Sequence, residues 1–217
     1  MARVLCIGDL HLPATHPDYL QFVKGLKRKY RTDTTVFIGD VIDHHSLSFH
    51  TKHPELPSAI DEYNQVAQGM KDWKRAFPEA MVCIGNHDER VHRLSATAGI
   101  PSMYLMNYQD VYETPDWTWE QSFMIDDVMY IHGTGTSGQR PAFTAAMKLG
   151  HSAVMGHCHS IAGVHVFQSE KLRIFGMNVG AGVDRHHRAM DYAKNHLNKP
   201  VLSAGVVIDG IPYLEIM

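Results

Sequence analysis

Residues 4–11 read V-L-C-I-G-D-L-H. The apolar, partly β-branched start of this stretch predicts a buried strand. The strand stops at a glycine, and the next residue, Asp9, has a carboxylate that can bind a metal ion. The same arrangement returns in V-F-I-G-D at 36–40 and in V-C-I-G-N-H at 82–87. The sequence therefore predicts three buried strands that are each followed by a polar residue of a metal-binding type.

Helical patterns lie between the predicted strands. The clearest covers 58–77, where Ser58 is a suitable N-cap and Pro78 ends the helix. Its apolar residues recur at helical spacing; they are Ile60, Tyr63, Ala67, Met70, Trp73 and Phe77. Further helices are predicted over 17–30 and 141–149. Alternating strands and helices indicate a largely parallel sheet with helices outside it, in which ligands bind beyond the carboxyl ends of the strands.

The second half of the chain is richer in predicted strands. Strands are predicted over 117–131, 161–167, 171–178 and 201–216, with hairpin turns at 126–127, 169–170 and 209–210. No linker, repeat or low-complexity segment interrupts the pattern. We therefore expect one α/β domain over residues 1–217, built from two sheets packed face to face with helices on their outer sides.

Composition is that of a globular protein. Hydrophobic residues make up 44% and charged residues 20% of the 217 residues. The formal net charge of -3 excludes a general basic field for nucleic acid but permits local basic patches. Because there is no apolar run of about 18 residues and no signal-peptide pattern, we expect a cytoplasmic protein without membrane contact. Three scattered cysteines fit a reducing compartment rather than a disulfide framework.

The stretch M-G-H-C-H-S at 155–160 places two histidines around one cysteine. A metal site, a catalytic Cys158 and a buried strand that carries histidines are three interpretations of it. Asp9 and His11 have the same spacing as the two histidines. Side chains two residues apart in an extended segment point the same way, so each pair can present two ligands together.

The predicted strand ends share oxygen and nitrogen ligands. Two further apolar runs, V-M-Y-I and A-V-M-G, are followed directly by a histidine, His132 and His157. The full set of candidate ligands is Asp9, His11, Asp40, Asn86, His132, His157 and His159. Without a thiolate, the set suits Mn²⁺, Fe, Zn²⁺ or Mg²⁺ better than a cysteine-rich structural zinc site. It is too large for one catalytic ion with an open position. It suits two divalent ions, with Mn²⁺ the expected metal, about 4 Å apart around a shared carboxylate, as in two-metal hydrolysis of phosphate esters.

This ordered series of motifs resembles the calcineurin-like metallophosphoesterase superfamily. The motifs are G-D-L-H at 8–11, G-D-V-I-D at 39–43, G-N-H-D at 85–88, I-H-G around His132 and G-H-C-H at 156–159. The later M-N-V-G-A-G at 177–182 is a looser match, because Val179 stands where many members have proline. The resemblance implies a four-layer α-β-β-α sandwich of two mixed β-sheets flanked by helices. It also implies a dinuclear metal site at the strand carboxyl ends and hydrolysis of a phosphomonoester or phosphodiester.

The resemblance also implies roles for the individual residues. One ion is expected to bind Asp9, His11 and His159, the other Asn86, His132 and His157, and Asp40 is expected to bridge the two. Cys158 is then expected to point away from the metals. A bridging water is expected to become the hydroxide that attacks phosphorus in line with the leaving oxygen.

His87 follows the ligand Asn86 and is the expected catalytic residue. It would protonate the leaving group or stabilise charge on the phosphoryl oxygens. We expect Asp88 to orient His87, as supporting carboxylates do for histidines, and Asp43 to be a supporting residue rather than a ligand.

Three local basic clusters are candidates for substrate binding. Arg90 and Arg93 follow His87 on a predicted short helix, where they either fork onto a phosphate or are surface charge. The histidine-rich loop 44–53 and the segment D-R-H-H-R at 184–188, which includes Arg185, either line the groove or are solvated. Such clusters fit an anionic substrate, and we expect a phosphate ester of a nucleotide or of a nucleic-acid end.

Two alternatives stand beside this hypothesis: a protein phosphatase, and a non-catalytic metal-binding scaffold of the same fold. The G-N-H-D form at 85–88 differs from the G-N-H-E form of the phosphoprotein phosphatases. The complete ligand set together with His87 disfavours the scaffold. The segment G-N-H-D-E-R-V-H-R-L also resembles small phosphoesterases of bacterial and phage genomes.

Overall fold

The computed structural model describes residues 1–49, 55–193, 195 and 197–217, with the side chains of 191–193 left aside. Within these residues the helices are α1 Tyr19–Tyr30, α2 Ala59–Ala76, α3 Arg90–Thr97, α4 Tyr108–Val111 and α5 Pro141–Leu149. The strands are β1 Arg3–Ile7, β2 Thr34–Phe37, β3 Ala80–Cys83, β4 Trp117–Glu120, β5 Ser122–Ile125, β6 Val128–Ile131, β7 Ser152–Met155, β8 Ala162–Gln168, β9 Arg173–Val179, β10 Ser203–Ile208 and β11 Ile211–Ile216. Short 3-10 helices cover His45–Leu47, Ser102–Tyr104 and Arg188–Ala193.

The strands form two mixed sheets. The first has the order β11-β10-β1-β2-β3-β4, in which β1 to β4 are parallel and β10 and β11 are antiparallel. The second has the order β5-β6-β7-β9-β8, with parallel pairs in its centre and an antiparallel strand at each edge. The carboxyl ends of β1, β2 and β3 therefore lie side by side, and so do those of β6 and β7.

Alternating side chains of the first sheet face two different layers. Leu5 and Ile7 of β1 belong to the core that includes residues of α1 and α2, whereas Val4 and Cys6 belong to the core between the two sheets. On the far side, small residues of α5 such as Ala146 pack against the second sheet. Because strand side chains alternate between faces, each sheet is covered on both sides. The predicted architecture of two mixed sheets flanked by helices is confirmed.

Most predicted elements are present close to their predicted bounds. The predicted helices at 17–30, 58–77 and 141–149 are α1, α2 and α5. The hairpin turns at 126–127 and 209–210 join β5 to β6 and β10 to β11. The predicted turn at 169–170 is wider than expected, because β8 ends at Gln168 and β9 begins at Arg173. Ser169 closes this turn by donating its backbone N–H to the carbonyl of Leu172 at 2.7 Å.

The predicted strand segment 117–131 is divided between both sheets, which the sequence did not indicate. Trp117 and Trp119 of β4 are both buried on the side of the first sheet that faces α2, and β4 pairs in parallel with β3. The chain then crosses over within one residue, Gln121, and β5 pairs with β6 in the second sheet. Alternation within each short strand is regular, but it carries no information about which sheet a strand joins.

The buried face of α2 also differs from the predicted one at its start. Ile60 is 64% exposed and Tyr63 is 39% exposed, although the helical spacing predicts both in the apolar stripe. The buried positions are Glu62, Val66, Met70 and Trp73, so a carboxylate lies where an apolar residue was expected. No helix in the described part of the chain has the length and apolar character needed to cross a membrane.

The aromatic core beneath α2 generates a stability prediction. The Trp117 ring is 2% exposed, stacks on Phe37 at 4.7 Å between centroids, and donates from Nε1 to the carbonyl of Phe77 at 2.9 Å. Because Trp117→Ala removes this packing and leaves a cavity, we expect it to lower the free energy of unfolding by about 3–5 kcal/mol. Urea denaturation in the presence of a chelator measures this without a contribution from metal binding.

Tyr104→Ala is the matched control, because that ring is 74% exposed. We expect this control to change the free energy of unfolding by no more than about 0.5 kcal/mol. A Trp117→Ala variant as stable as the Tyr104→Ala control would show that the stacked rings do not support the first sheet.

Candidate metal centre

The candidate ligands are brought together because strands of both sheets end at one place. The loops after β1 and β2 run alongside each other, with the His11 N–H donating to the Asp40 carbonyl at 2.9 Å. Across the sandwich, the Gly156 N–H donates to the His132 carbonyl at 3.2 Å. The edge of each sheet therefore presents its polar side chains to the same space, as expected for ligands at strand carboxyl ends.

Glycines before two of the ligands leave room for the carboxylates. A Cβ atom on Gly85 would lie 2.2 Å from Asp40 Oδ1, and a Cβ atom on Gly156 would lie 2.2 Å from Asp9 Oδ1. No side chain fits at such distances. At these two motifs the glycine is thus explained by close approach of a neighbouring loop's carboxylate, whereas Gly8 is approached by the Gly180 carbonyl and Gly39 by the His132 ring.

The backbone is strained at three of the candidate ligands. His11, Asp40 and His157 have φ values of 49°, 47° and 62°, in the left-handed region that residues other than glycine seldom adopt. Each such residue costs of order 1–3 kcal/mol, and such strain clusters at functional sites. The side-chain positions are therefore maintained at the expense of backbone stability.

Asp9, His11 and His159 form the first set of ligand atoms. His159 Nε2 lies 3.0 Å from His11 Nε2 and 3.1 Å from Asp9 Oδ2. Two imidazole nitrogens at this separation need either a shared proton or a cation between them. With Asp40, these residues place one ligand atom each within 4.8 Å of one another.

Asn86, His132 and His157 form the second set. His132 Nε2 lies 3.1 Å from Asn86 Oδ1 and 3.2 Å from both His157 Nδ1 and Asp40 Oδ2. Asp40 therefore belongs to both sets, as the resemblance implied for a bridging ligand. Its carboxylate is 1% exposed and lies between the two groups.

The donor set fits divalent cations, and Asp9 shows it most directly. Both of its carboxylate oxygens are buried and accept no hydrogen bond from the residues that the structure describes. The nearest basic atom is His159 Nε2, at 3.1 Å from Oδ2, and it compensates the carboxylate only if that ring is protonated. A buried carboxylate without hydrogen bonds is among the costliest groups in a protein interior unless positive charge compensates it. Carboxylate, amide and imidazole ligands without a thiolate suit Mn²⁺, Fe, Zn²⁺ or Mg²⁺.

Hydrogen bonds behind the histidines fix which nitrogen is free for metal. His132 Nδ1 lies 2.8 Å from the carbonyl of Ile38, and His11 Nδ1 lies 2.9 Å from Asp43 Oδ1. Each contact requires a proton on Nδ1, which leaves Nε2 with its lone pair toward the site.

The electrostatics of the site centre on Asp40. Burial raises the pKa of Asp40, but the facing His132 and His87 lower that pKa by more, so the carboxylate is ionised. Burial lowers the pKa of His132, but the Asp40 charge outweighs burial and raises it to about 10. A proton therefore occupies the space between Asp40 and His132 when no metal ion does.

Asp43 orients His87, and this corrects the role predicted for Asp88. His87 Nδ1 lies 2.9 Å from both the carboxylate Oδ1 and the backbone carbonyl of Asp43. Both oxygens of Asp88 instead accept backbone N–H groups, from Ile42 at 3.0 Å and from Gly85 at 2.9 Å. The prediction that Asp88 orients His87 is therefore wrong. The Asp88 side chain instead bonds to the backbone of Ile42 and Gly85, so it links the segments that follow β2 and β3.

The protonation of these carboxyl groups differs with their surroundings. Burial, and then the Asp40 charge, raise the pKa of Asp88 to about 7. Burial also raises the pKa of Asp43, but hydrogen bonds from His11 and His87 lower it far below its ordinary value. Burial lowers the pKa of His87, whereas the Asp40 and Asp43 carboxylates raise it by more. His87 is therefore held in a site that favours a proton.

The two arginines after His87 lie in different surroundings. Arg90 Nη1 donates to the carbonyls of Asp43 and His44 at 2.8 and 3.0 Å, and its Nη2 lies 3.1 Å from His87 Nε2. Arg93 is exposed, with its guanidinium carbon 5.9 Å from the centroid of the Phe49 ring. Of this pair, the structure brings Arg90 to His87.

A cavity of about 490 Å³ opens over the ligands. Its lining includes Asp40, Asn86, His87, His157 and His159. Arg185, one of the residues expected to bind substrate, also lines this cavity and is exposed. The cavity is much larger than a phosphate group, so it has room for the organic part of an ester as well.

Cys158 is held as a thiol rather than as a nucleophile. Its Sγ lies 3.9 Å from the Thr136 carbonyl, and the side chain packs against the alanines of α5. Burial, and then the Asp9 charge, raise the pKa of Cys158. A reactive cysteine needs the opposite shift. The metal interpretation of the M-G-H-C-H-S stretch is the one that the geometry supports.

Several polar residues around the site were not predicted from sequence. Asn178 is 2% exposed and bridges loop and helix, accepting from the Ala142 N–H and donating to the Gly156 carbonyl, both at 3.1 Å. In the histidine-rich loop, His44 contacts the His87 carbonyl at 2.9 Å and the Tyr112 hydroxyl at 2.8 Å. His45 and Glu62 are also buried. Residues 50–53 of that loop lie outside the described residues.

Solved structures similar to this chain have low sequence identity to it. Vacuolar protein sorting 29 from Cryptosporidium parvum is 13% identical, with a TM-score of 0.47 over 100% of this chain and 96% of its own. The phosphoesterase Yfce from E. coli is 17% identical, with a TM-score of 0.47 over 99% and 92%. The nuclease MPE from Pseudomonas putida is 12% identical, with a TM-score of 0.44 over 98% and 87%. No curated protein sequence matches the chain.

A family comparison covers the whole candidate site. The family model of the calcineurin-like phosphoesterases matches residues 2–183, which include every candidate ligand from Asp9 to His159. The resemblance of the ordered motifs to this family is therefore confirmed. The chain belongs to the calcineurin-like phosphoesterases.

Proposed function

We propose that the protein is a dinuclear metal-dependent phosphoesterase that hydrolyses a phosphate ester of a nucleotide or of a nucleic-acid end. The observation that carries the proposal is Asp40, which belongs to both sets of ligand atoms and lines the same cavity as His87. A shared carboxylate between two cation positions is the arrangement of two-metal phosphate ester hydrolysis. The expected metal is Mn²⁺, with Fe, Zn²⁺ and Mg²⁺ as alternatives.

The chain's own residues divide the chemistry between them. When bound, divalent ions supply hydroxide at neutral pH and neutralise charge on the phosphoryl oxygens. His87 holds a proton at Nδ1 toward Asp43 and turns Nε2 to the cavity, 4.0 Å from Asp40 Oδ2. A proton on Nε2 is then available to the leaving oxygen.

Arg90 adds a second donor beside the histidine. Its Nη2 lies 3.1 Å from His87 Nε2, so protonated His87 places two positive groups next to each other. A phosphoryl oxygen that enters between them accepts from both, which favours the substrate complex over the free site. Arg90 is fixed for this role, because its other amino group is bonded to the carbonyls of Asp43 and His44.

The cavity supports a nucleotide-type substrate. Beyond the ligands, its lining includes the charged Arg185 and the apolar Ile161 and Met190. A phosphate with an attached sugar and base uses both. A protein phosphatase remains the competing function, and its substrate is the comparison in the test below.

The first prediction concerns metal stoichiometry. We expect two ions per chain under saturating Mn²⁺, as measured by elemental analysis after gel filtration. Asp40→Ala removes a ligand of both positions, so it should leave less metal than any other single ligand change.

His159→Ala is the matched control, because His159 belongs to the first set of ligand atoms only. It should leave one ion per chain. A wild-type protein that binds one ion at saturation, or an Asp40→Ala variant that retains as much metal as His159→Ala, would contradict the bridging assignment.

The second prediction concerns His87. Loss of a general acid costs about 10²–10⁴-fold in rate, so His87→Asn should lower turnover by that factor while both ions and the fold are retained. The loss should be smaller for p-nitrophenolate, a good leaving group, than for an alkyl or ribose oxygen. Steady-state kinetics on the two esters, with elemental analysis of the variant, measures this.

Equal losses on both esters would mean that His87 stabilises phosphoryl charge instead of donating a proton. Loss of metal from His87→Asn would mean that the residue is a ligand and that the assignment of this motif is wrong.

The third prediction concerns the substrate. In one assay with Mn²⁺, we expect faster hydrolysis of nucleotides or short oligonucleotides than of phosphopeptides. Comparison of p-nitrophenyl phosphate with bis-p-nitrophenyl phosphate separates monoesterase from diesterase activity. A clear preference for phosphopeptides would favour the protein phosphatase, and no turnover of any ester would favour the scaffold.

A further inference from the structure

A second group of buried polar side chains lies behind the catalytic histidine. Asp43, His45 and Glu62 are 2%, 4% and 2% exposed, and none of them is among the candidate metal ligands of the centre described above. Each carries an ionisable group that is expensive to bury without a compensating partner. Their mutual contacts therefore need a physical explanation.

Glu62 is the fixed end of the group. It comes from α2, and both of its carboxylate oxygens accept backbone N–H groups of the loop after β2, from His45 at 2.8 Å and from Ser46 at 3.0 Å. His45 Nδ1 forms an ion pair with Glu62 Oε1 at 2.8 Å. Because an ionised acceptor strengthens such bonds, Glu62 determines where the start of this loop lies.

Asp43 connects this pair to the catalytic site. Its Oδ1 contacts the Nδ1 atoms of His11 and His87, each at 2.9 Å, while its Oδ2 faces His45 Nδ1 at 3.7 Å. One oxygen thus serves both rings of the centre, and the other is directed to His45. A continuous series of contacts runs from the outer helix α2 through His45 to the histidine that faces the cavity.

The charges in this series favour a proton on His45 Nδ1. The buried carboxylates of Asp43 and Glu62 both face this nitrogen, at 3.7 and 2.8 Å, and they repel each other in a medium of low polarity unless positive charge lies between them. Burial lowers the pKa of His45, but the two carboxylates raise it by more. An imidazolium at this position offsets one negative charge and attracts the Oδ2 end of Asp43.

We propose that the Glu62–His45 ion pair is a positioning device that holds Asp43 with its Oδ1 toward His87, so that His87 keeps its proton on Nδ1 and directs Nε2 to the cavity. Glu62 and His45 are positioning residues, because neither reaches the reacting atoms. The inference rests on the proposed function only for the kinetic consequence; the geometry of Asp43 and His87 is independent of it.

The direct test uses Glu62→Gln, which keeps the size of the side chain and removes its charge. Histidine ¹⁵N spectra of the Mg²⁺-loaded protein, recorded at a pH high enough for His87 to be neutral, report which ring nitrogen keeps the remaining proton. We expect wild-type His87 to be protonated at Nδ1, with slow exchange of that proton, and the variant to show a tautomer mixture or faster exchange. Glu79→Gln, which removes the same charge from an exposed position, should match wild type.

The kinetic test is a double-mutant cycle. Glu62→Gln should lower kcat about 10–100-fold, the usual effect of a residue that supports another in a metal site, with little change in KM and with both ions retained. In the His87→Asn background the same change should have almost no further effect, because the pair acts through His87. Full additivity of the two losses would overturn the proposal, since a general structural defect would persist without His87.

Other outcomes also decide the matter. If Glu62→Gln fails to fold, His45→Gln replaces it in both tests, with the same expected results. Unchanged His87 spectra in a folded variant would overturn the proposal. So would a third ion bound between Asp43, His45 and Glu62, seen by anomalous scattering from Mn²⁺-soaked crystals. If wild type hydrolyses no ester, the proposed function fails, while the ¹⁵N spectra still decide the positioning role.

Discussion

Burial of carboxylates at the strand ends is the constraint on which the rest of the site depends. Asp9 and Asp40 are 0% and 1% exposed, and the oxygens of Asp9 accept no hydrogen bond within the described residues. Such groups are stable in an interior only when positive charge compensates them. Histidines from both sheets converge on these carboxylates, and the strained backbone at His11, Asp40 and His157 brings them there. Cations bound at these carboxylates would return stability that the strain removes, which would link folding to metal binding at this end of the sandwich.

Much of the fold and of the ligand set was predictable because both follow from short-range patterns. A buried strand that ends in glycine and a polar residue is visible in any one segment, and parallel strands necessarily bring such ends together. The glycines are also informative, because at Gly85 and Gly156 a side chain would collide with a carboxylate of another loop. The division of 117–131 between two sheets was not predictable, because the alternation of Trp117 and Trp119 is compatible with either sheet.

The supporting residues were harder to predict, because their roles depend on long-range contacts. Asp88 follows His87 directly in the chain, yet its carboxylate bonds to the backbone of Ile42 and Gly85, while the more distant Asp43 contacts the His87 ring. Glu62 lies on the buried face of α2, where helical periodicity favours an apolar residue. A charged residue at helical spacing from buried apolar residues is the local sign that a carboxylate faces the interior. In α2 this sign is hard to recognise, because Ile60 and Tyr63 also have helical spacing and predict a different buried face at the start of the helix.

Cys158 shows how the surroundings of the candidate metal centre affect a neighbouring side chain, here the ionisation of a thiol. A thiolate beside two cation positions would compete with the histidines as a soft ligand and favour other metals. Burial and the Asp9 charge both raise the pKa of the Cys158 thiol, and its Sγ is 3.9 Å from the Thr136 carbonyl, on the side of α5. Burial is the larger of the two causes, so the thiol is disfavoured from ionising mainly by its packing. A cysteine can stand between His157 and His159 because its Sγ lies in the half-buried contact with α5 and not among the candidate ligand atoms.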